Sequence, residues 1–350
     1  MQPDSQSLDE IDRELLRQIA DRVAASSVLA ESGDLPSTAE RNRVFAKLVG
    51  EMQLDEASTE ALEQVLRHVD SYCRRSFPSR SISFLGPKYS YSHLAAIAYF
   101  GDAADFQPVA SIPAVFDAVY RGDVFSGIVP IENSTDGGVV DTLSMFVKRE
   151  MTICGEVLLP IHHNLLASGR REEITEIHSK PQALSQCRNW LMANFPAAAC
   201  IEVSSTTAAA AAAAADTNVA AVASLPAGHA YGLETLSENI EDNGENVTRF
   251  AVLGKTEPEP TGDDKTSLLF QVEHKPGALA GAMNVFSDLS LNLTWIESFP
   301  CPETRSEYLF FVELSGHRMD PTVTKAIGRL STFTRRLDIL GSYPIGSVAI

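Results

Sequence analysis

The sequence lacks the features that mark secreted, membrane-spanning and metal-binding proteins. Its five cysteines are odd in number and scattered, and they form no C-x-x-C pair or His/Cys cluster. No apolar run approaches the ~20 residues of a membrane span, and the first ten residues are too polar and acidic for a signal peptide. These absences predict a reduced, cytoplasmic protein with no metal site.

Positive charge is also scarce. Lysine and arginine number 28 against 46 aspartates and glutamates, which gives a net charge of −18. Such a balance disfavours nucleic acid or an acidic membrane surface as a partner. A small anion can still bind where a pocket is locally cationic or lined with amide and hydroxyl donors. With 350 residues, the chain is long enough for two or three domains with cores of their own.

The first part of the chain, from residue 8 to about residue 77, is predicted to form three helices. One face of the first helix carries apolar residues at helical spacing: Leu8, Ile11, Leu15, Leu16, Ile19 and Val23. Residues 33–36 break that helix, and Ser37 and Glu40 have the spacing of a capping box for a second one. The second helix runs through Val44, Leu48 and Met52, and the third runs from about residue 57 to Phe77. Three helices make a thin core, which favours pairing with a second copy of the chain.

This helical part resembles the all-helical chorismate mutase domain, in which cationic side chains inside the bundle hold a dicarboxylate. The segment Ile11-Asp12-x-x-Leu15-Leu16, followed by Arg22, matches the first helix of that family and its catalytic arginine. Other family positions depart from the pattern, since they fall on Ser5, Gly33 and Phe77 and on Glu40-Arg41 in reversed order. The resemblance leaves two alternatives, a working mutase or a relic that serves as a dimerising arm.

From Ser81 onward, short apolar strands alternate with helices, and three helix starts are rich in hydroxyl and amide groups. These residues are Ser90, Ser92, Asn133, Ser134, Thr135, Ser205 and Thr206. Ordinary helix capping accounts for each start taken alone. Together they predict a cleft between two α/β lobes, because the N–H groups at helix starts bind anions and ligands collect where strands meet helices.

The segment at 243–253 brings a polar turn to an apolar strand and sets Thr248 beside Arg249, with Phe250 next. A threonine hydroxyl can donate one hydrogen bond to a leaving oxygen, and a guanidinium suits a carboxylate. Neighbouring strand residues point to opposite faces. Both side chains therefore reach one ligand only if the strand is bulged or ends there.

Several of these segments resemble the signature segments of the prephenate dehydratase family, in the family's order over about 170 residues. They are Phe84-Leu85-Gly86-Pro87, Ser90-Tyr91-Ser92, Val129-Pro130-Ile131-Glu132-Asn133, Ser205-Thr206 and Thr248-Arg249-Phe250. Tyr89 stands where the family commonly has glycine. The resemblance implies a two-lobed fold similar to periplasmic binding proteins, with crossings near residues 157–160 and 237–246. The active site would lie between the lobes.

The reaction that the resemblance implies is conversion of prephenate to phenylpyruvate, with loss of carbon dioxide and hydroxide, for L-phenylalanine biosynthesis. In that reading Thr248 donates to the leaving hydroxyl and Arg249 holds a carboxylate. The hydroxyl and amide residues of the three helix starts and Phe250 complete the grip, and no cofactor is required. Arogenate, with an amino group in place of the ketone, is an alternative substrate. A non-catalytic amino-acid sensor on the same fold is an alternative of another class.

A proline-rich acidic linker at 256–264 precedes a predicted β-α-β-β-α-β segment, the ferredoxin-like plan. The segment resembles an ACT regulatory domain of the phenylalanine-binding kind. Its marks are Gly277, Ala278, Leu279, Glu297 and Ser298, while Phe299 replaces an arginine that is common there. The resemblance implies L-phenylalanine as effector, bound between paired domains, and hence a homodimer or homotetramer.

The expected architecture is therefore multidomain. It comprises an all-α arm at 1–78, a two-lobed α/β catalytic domain at 81–255, the linker at 256–264 and a ferredoxin-like ACT domain at 265–350. The expected function is a feedback-inhibited prephenate dehydratase. The alternatives are a bifunctional chorismate mutase/prephenate dehydratase and the sensor.

Overall fold

The computed structural model describes residues 8–32, 38–74, 81–102, 104–300, 308–346 and 348. Two compact units divide the chain, one formed by Met1–Ile82 with Ala96–Phe106 and the other by Ser83–Ala95 with Gln107–Ile350. Among the described residues, no helix has both the length and the apolarity to cross a membrane. The predicted break at 33–36, the cap at Ser37 and the positions Ser5 and Phe77 lie outside the described residues.

The first unit contains the three predicted helices, α1 (Leu8–Ser32), α2 (Thr38–Gly50) and α3 (Glu56–Arg74). The carboxylate of Asp55 begins α3 by accepting the backbone N–H of Ser58 at 2.9 Å. On the predicted apolar face of α1, Leu8 and Leu16 are 77% and 65% exposed within this chain. In α2 the structure buries Phe45 and Val49, one position after the predicted Val44 and Leu48.

A mixed sheet, most of which belongs to the second unit, has the order β2-β1-β3-β11-β5, with β4 paired to β3. Its elements are β1 (Ser81–Leu85), α4 (Tyr91–Phe100), β2 (Asp105–Val109), α5 (Ile112–Arg121), β3 (Ser126–Asn133), β4 (Gly137–Gly138), α6 (Val140–Lys148), β5 (Thr152–Pro160) and the returning β11 (Val247–Gly254). Strand β11 is antiparallel to both β3 and β5, so it lies inside the sheet, where its side chains are almost all buried.

A second sheet has the order β10-β6-β9-β7-β8 and forms the other lobe. Its elements are β6 (Asn164–Ala167), β7 (Glu176–Ser179), α7 (Pro181–Gln186), α8 (Arg188–Asn194), β8 (Ala199–Glu202), α9 (Thr206–Ala215), β9 (Val219–Ala223), α10 (Leu225–Ala230) and β10 (Glu234–Ser237). Buried alanines of α9 and β9, Ala209, Ala213 and Ala221 among them, let this helix pack closely on the sheet. The chain crosses between the lobes after β5 and again before β11, near the predicted positions.

A third sheet, which we call the C-terminal sheet, has the order β13-β14-β12-β15 and is fully antiparallel. Its elements are β12 (Asp264–Val272), α11 (Ala278–Asp288), β13 (Leu293–Pro300), β14 (Tyr308–Ser315), α12 (Pro321–Leu330) and β15 (Thr334–Pro344). The order of elements is the predicted β-α-β-β-α-β. The strand order places the first and third strands of the segment at the centre, as the ferredoxin-like plan requires.

One face of the C-terminal sheet shares a core with the first lobe. Phe311 of β14 packs against Phe146 of α6 and Trp295 of β13, with ring centroids 6.2 Å and 4.8 Å apart. At Gly341 of β15, a Cβ would lie 2.2 Å from the carbonyl oxygen of Ile153 in β5, so only glycine permits this approach. The linker at 256–264 therefore separates two chain segments whose buried faces pack together.

Candidate active site

A cavity of about 1070 Å³ is lined by residues of both lobes. It brings together seven of the predicted site residues: Ser90, Ser92, Asn133, Ser205, Thr206, Thr248 and Phe250. Gln182 of α7 donates a hydrogen bond to Asp136 beyond β3, which ties the two sides of the cleft. The sequence prediction of an interlobe cleft at the hydroxyl-rich helix starts thus describes a real cavity.

The start of α9 presents donors to the cavity. Ser205 Oγ accepts the backbone N–H of Ala208 at 3.0 Å and keeps its own proton available for a ligand. Thr207, which the sequence analysis did not single out, also lines the cavity; it is 1% exposed and its Oγ1 has no hydrogen-bond partner among the described residues. The first turn of α9 also carries unpaired backbone N–H groups and the positive end of the helix dipole. This end of the cavity therefore suits a carboxylate.

The start of α4 forms the opposite wall. Ser90 Oγ donates to the carbonyl of Leu85 at 3.1 Å, so its hydroxyl proton is used within the protein. Ser92, in the first turn of α4, is buried and also lines the cavity. Tyr89 adopts φ of 66°, a left-handed conformation that costs a non-glycine residue energy. That conformation accounts for the glycine that is common at this position.

Thr248 lies on the face of β11 that borders the cavity, and its hydroxyl is oriented by Asn133. Asn133 Nδ2 donates to Thr248 Oγ1 at 2.7 Å and to Asn246 Oδ1 at 2.9 Å. The amide cannot be reversed, because Asn133 Oδ1 accepts the backbone N–H groups of Thr135 and Asp136. Since Thr248 Oγ1 is the acceptor in this pair, its own proton remains available to a molecule in the cavity.

The same network continues across the cleft and fixes the protonation of a histidine. Asn246 Nδ2 donates to Gln186 Oε1, so this oxygen must also accept from His163 Nε2, which lies 2.9 Å away. His163 is then the Nε2–H tautomer, and its Nδ1 lies 3.0 Å from the hydroxyl of Tyr91, which donates its own proton to the carbonyl of His162 at 2.6 Å. Burial lowers the pKa of His163 below its usual 6.5, against the hydrogen bond to Gln186 and the charge of Glu241, which raise it. The imidazole is therefore neutral at pH 7.

Two of the predicted binding residues lie outside the main cavity. Ser134 Oγ accepts the backbone N–H of Val247 at 3.0 Å, so it holds the turn after β3 to the start of β11. Thr135 lines a neighbouring cavity of about 590 Å³. The prediction that Ser134 and Thr135 line the same cleft as Asn133 is not met by the structure. Of the four polar residues at 133–136, only Asn133 and Asp136 line the main cavity.

Arg249 is also placed differently from the prediction. Thr248 and Phe250 border the cavity, whereas Arg249 points to the opposite face of β11, as strand alternation dictates. Its guanidinium donates to Glu132 at 2.9 Å, Glu156 at 3.0 Å and Glu313 at 2.7 Å. The register does shift between Arg249 and Phe250 opposite β3, but the shift does not turn the guanidinium into the cleft.

Among the described residues, two lysines that the sequence analysis did not single out line the cavity. Lys88 follows β1 and Lys180 follows β7, so each stands at a strand-to-helix junction on a different lobe. Both are exposed at the cavity. The sequence does contain a signal for these lysines, because each lies between a strand and a helix, as the predicted hydroxyl residues do. The cavity can thus hold an anion with two negative groups.

Residues 82–258 match the protein family described as prephenate dehydratase. The chain is 39% identical to the bifunctional chorismate mutase/prephenate dehydratase of Aquifex aeolicus, over 96% of both chains. The chain belongs to the prephenate dehydratase family. A solved prephenate dehydratase from Arthrobacter aurescens, in complex with L-Phe, is 31% identical, with a TM-score of 0.70 over 77% of this chain and 93% of that one. The Staphylococcus aureus prephenate dehydratase is 31% identical, with a TM-score of 0.67 over 75% and 99%.

In this member of the prephenate dehydratase family, the predicted effector residues fall in two places on the C-terminal sheet and its helix. Ala278 and Leu279 border a small cavity of about 150 Å³ beside Tyr308 and Phe310, and Gly277 caps α11 with φ of 81°. Glu297 and Ser298 lie on β13 and are not among the residues that line that cavity, although Ser298 is paired with Phe310, which does line it. Phe299, at the position where an arginine is common, is 5% exposed in the core shared with the first lobe.

In the helical unit, Arg22 is part of a half-buried cluster. Its guanidinium donates to Asp70 at 2.6 Å and to the sulfur of Cys73 at 2.9 Å, and it lies 5.7 Å from the centroid of the Phe45 ring. Arg41 faces the same ring at 4.8 Å and lies 3.8 Å from Asp70. The cluster thus brings two guanidinium groups together from α1 and α2.

Proposed function

We propose that the cleft converts prephenate to phenylpyruvate and that Thr248 assists the departure of the ring hydroxyl. The observation that carries the proposal is the hydrogen bond from Asn133 Nδ2 to Thr248 Oγ1 at 2.7 Å. The fixed amide occupies a lone pair of the hydroxyl oxygen and leaves its proton to the ligand. A donor that is oriented before the substrate arrives costs no reorganisation when the bond breaks.

The chemistry needs little from the protein beyond orientation and charge. The bond from the ring to its carboxylate breaks and releases carbon dioxide, and its electron pair forms the new ring double bond. The ring carbon–oxygen bond breaks on the opposite side of the ring, and the departing hydroxide takes a proton to become water. The product ring is aromatic, so the step is strongly downhill. A threonine hydroxyl is a weak acid, and we assign to Thr248 a hydrogen bond that strengthens as charge develops on the leaving oxygen.

Binding of the dianion is assigned to the two ends of the cavity. The first turn of α9, with Ser205, Thr206 and Thr207, offers hydroxyl and backbone donors to one carboxylate. Lys180 stands on the same lobe, and Lys88 on the other. Prephenate carries two carboxylates, and two lysines on facing lobes match that charge. Arg249 takes no part in this binding, because its guanidinium is paired with three carboxylates on the other face of β11.

The test is formation of phenylpyruvate from prephenate, from arogenate as the alternative substrate and from chorismate alone. Phenylpyruvate from prephenate, with kcat lowered about 10²–10³-fold in Thr248→Val, supports the assignment. Phenylalanine formed faster from arogenate than phenylpyruvate from prephenate would make arogenate the substrate. Binding of either compound without turnover would support the amino-acid sensor instead and refute the enzyme.

The helical unit supplies a second candidate activity, chorismate mutase. The relative from Aquifex aeolicus, which is named as bifunctional, aligns with 96% of this chain and thus with the helical residues as well. Arg22 and Arg41 lie together beside Phe45, and a pair of guanidinium groups is suited to a dicarboxylate. Arg22 is hydrogen-bonded to Asp70 in this structure, so Asp70 would have to release the guanidinium before a substrate carboxylate could bind it. Phenylpyruvate from chorismate above an enzyme-free blank would establish the activity, and Arg22→Gln should abolish it while turnover of prephenate is kept.

Regulation by L-phenylalanine completes the proposal. The C-terminal sheet and its two helices have the ferredoxin-like plan of an ACT domain, and the relative from Arthrobacter aurescens was solved in complex with L-Phe. We assign the effector contacts to the α11 start and to β13, through Gly277, Ala278, Leu279, Glu297 and Ser298. The domain boundaries at 78, 255 and 265 and a homodimer or homotetramer remain part of this proposal. Titration of dehydratase activity with L-phenylalanine, together with mass measurement in solution, tests both.

A further inference from the structure

Arg249 joins strand β11 to three other strands through ion pairs. It leaves β11 one residue after Thr248 and reaches Glu132 on β3, Glu156 on β5 and Glu313 on β14 of the C-terminal sheet. Both carboxylate oxygens of Glu313 lie within 2.8 Å of Arg249 Nη1. The residue beside the proposed catalytic hydroxyl is thus bonded directly to the regulatory part of the chain.

The contact is buried and is surrounded by further polar groups of the C-terminal sheet. Lys265 of β12 lies 2.9 Å from Glu156 and 3.6 Å from Glu313. The hydroxyl of Tyr343, on β15, donates to Glu313 at 3.2 Å. Glu313 is 1% exposed and Arg249 is 8% exposed. Separating one partner from such a buried cluster is costly, so a movement of the C-terminal sheet must either carry Arg249 with it or rearrange the cluster as a unit.

A second contact reaches the cavity from the same sheet. The ring of Trp295 on β13 lies 4.7 Å from the guanidinium carbon of Arg249. A Cβ placed on Gly138 would lie 3.2 Å from Trp295 and 3.2 Å from Glu297, and Gly138 lines the cavity. Glu297 is one of the predicted effector residues. Strand β13 therefore contacts Gly138 of β4, which lines the cavity, and Arg249, which follows Thr248 on β11.

We propose that Arg249 is a positioning residue, which couples occupation of the effector site on the C-terminal sheet to the placement of Thr248. Movement of β13 or β14 shifts Trp295 and Glu313, these shift Arg249, and the peptide bond between residues 248 and 249 carries the shift to the Thr248 hydroxyl. This inference rests on the proposed dehydratase and its response to L-phenylalanine.

The test measures kcat/KM for prephenate without and with saturating L-phenylalanine, in the full-length protein and three variants. Glu313→Gln removes the charge that Arg249 meets on β14, and Trp295→Leu removes the aromatic face. The matched control is Arg336→Gln, because Arg336 of β15 donates to the carbonyl of Val147 at 3.2 Å and so also joins the C-terminal sheet to the first lobe, away from β11. Calorimetric binding of L-phenylalanine and a thermal melt verify that each variant is folded.

We expect uninhibited kcat within threefold of the parent in all three variants. The factor by which L-phenylalanine lowers kcat/KM should fall at least tenfold in Glu313→Gln and Trp295→Leu and remain unchanged in Arg336→Gln. Trp295→Phe, which keeps an aromatic face, should recover most of the inhibition. The proposal would be overturned if L-phenylalanine lowered kcat/KM in both Glu313→Gln and Trp295→Leu by the same factor as in the parent. It would also be overturned if Arg336→Gln lost as much inhibition as these variants, or if both variants failed to fold while the control folded. Absence of turnover in the parent would instead refute the dehydratase.

Discussion

The hydroxyl of Thr248 can be removed with little change in shape by Thr248→Val. Valine has the same branching at Cβ and suits a buried strand, so β11 should pair with β3 and β5 as before. The substitution deletes only the donor to the leaving oxygen and the acceptor for Asn133 Nδ2. It therefore separates the chemical role of Thr248 from its place in the fold.

The expected effect on rate follows from the role of the donor. A single preorganised hydrogen-bond donor to a charge that develops in the transition state contributes about 10²–10³ in kcat, or roughly 3–4 kcal/mol. The hydroxyl bonds more strongly to the departing oxygen than to the intact substrate hydroxyl, so the loss should appear in kcat, with KM within about threefold of the parent. Thr248→Ser, which keeps the donor, should retain kcat within about tenfold.

The expected effect on stability is small. Asn133 Nδ2 loses one acceptor but still donates to Asn246 Oδ1 at 2.9 Å, and the cavity can supply water to the remaining proton. The cost should be about 1 kcal/mol, which corresponds to a lowering of the melting temperature by no more than about 4 °C. A larger drop would mean that the rate loss reflects disturbed folding.

The assay is continuous absorbance of phenylpyruvate from purified prephenate, with melting curves for each variant. A kcat of Thr248→Val above one third of the parent value, in folded protein, would refute the role of the hydroxyl. An equal loss in Thr248→Ser would point to packing of the side chain and would refute it as well.

Three other outcomes are expected. Lys180→Ala should raise the KM for prephenate roughly tenfold with kcat nearly unchanged, because a lysine that pairs with a carboxylate contributes to binding of substrate and transition state alike. If KM were the same at low and high salt, that result would count against the ionic contact of Lys180 with the substrate. Tyr89→Gly should be more stable than Tyr89→Ala by about 1 kcal/mol in denaturant titrations, since φ is 66° there; equal stability would contradict the backbone argument. The unfolding free energy should fall as pH drops below 6.5, because burial depresses the pKa of His163 and the unfolded chain then binds the proton more readily; His163→Gln should show a weaker fall, and an identical pH profile would exclude His163 as a source.

The cleft could be located from the sequence because its signals are local. Serine and threonine at a helix start act on backbone groups within three residues, as Ser205 does on Ala208, so the chemistry is visible in a short window. The alternation of strands and helices then places those starts at one edge of each sheet. Lys88 and Lys180 lie at the same strand-to-helix junctions, so their positions are equally visible in the sequence.

The network around the cleft could not be predicted in this way. Asn133 contacts Asn246 across 113 residues of chain, and His163 contacts Gln186 across 23 residues. The orientation of each side-chain amide depends on the whole series of hydrogen bonds that runs from Asn133 through Asn246 and Gln186 to His163. A linear pattern contains no record of such contacts, since each depends on how the fold brings separate segments of the chain together.

The boundary of the C-terminal domain shows a related limit. The linker at 256–264 has the composition of a spacer, which predicts a separate domain. The segments before and after the linker nevertheless pack together, because Phe311 and Tyr343 lie in the same hydrophobic core as Phe146. The composition of the linker shows that it has no apolar residues to anchor it. It does not show whether the segments on either side of the linker pack against each other.

Strand β11 shows why two adjacent residues of one motif can have different roles. Thr248 faces the cavity, so Arg249 faces the other side of the sheet and finds Glu156 and Glu313, which are 93 and 64 residues away in the chain. For Arg249 to hold a substrate carboxylate instead, it would have to leave two buried glutamates with Lys265 as the nearest remaining cation. Breaking a buried pair in this way costs about 3–5 kcal/mol, more than the 1.5–3 kcal/mol that a hydrogen bond to a charged group contributes. The energetic comparison assigns the arginine to the protein and the threonine to the substrate, which allows one strand to sense the C-terminal sheet on one face and act on prephenate with the other.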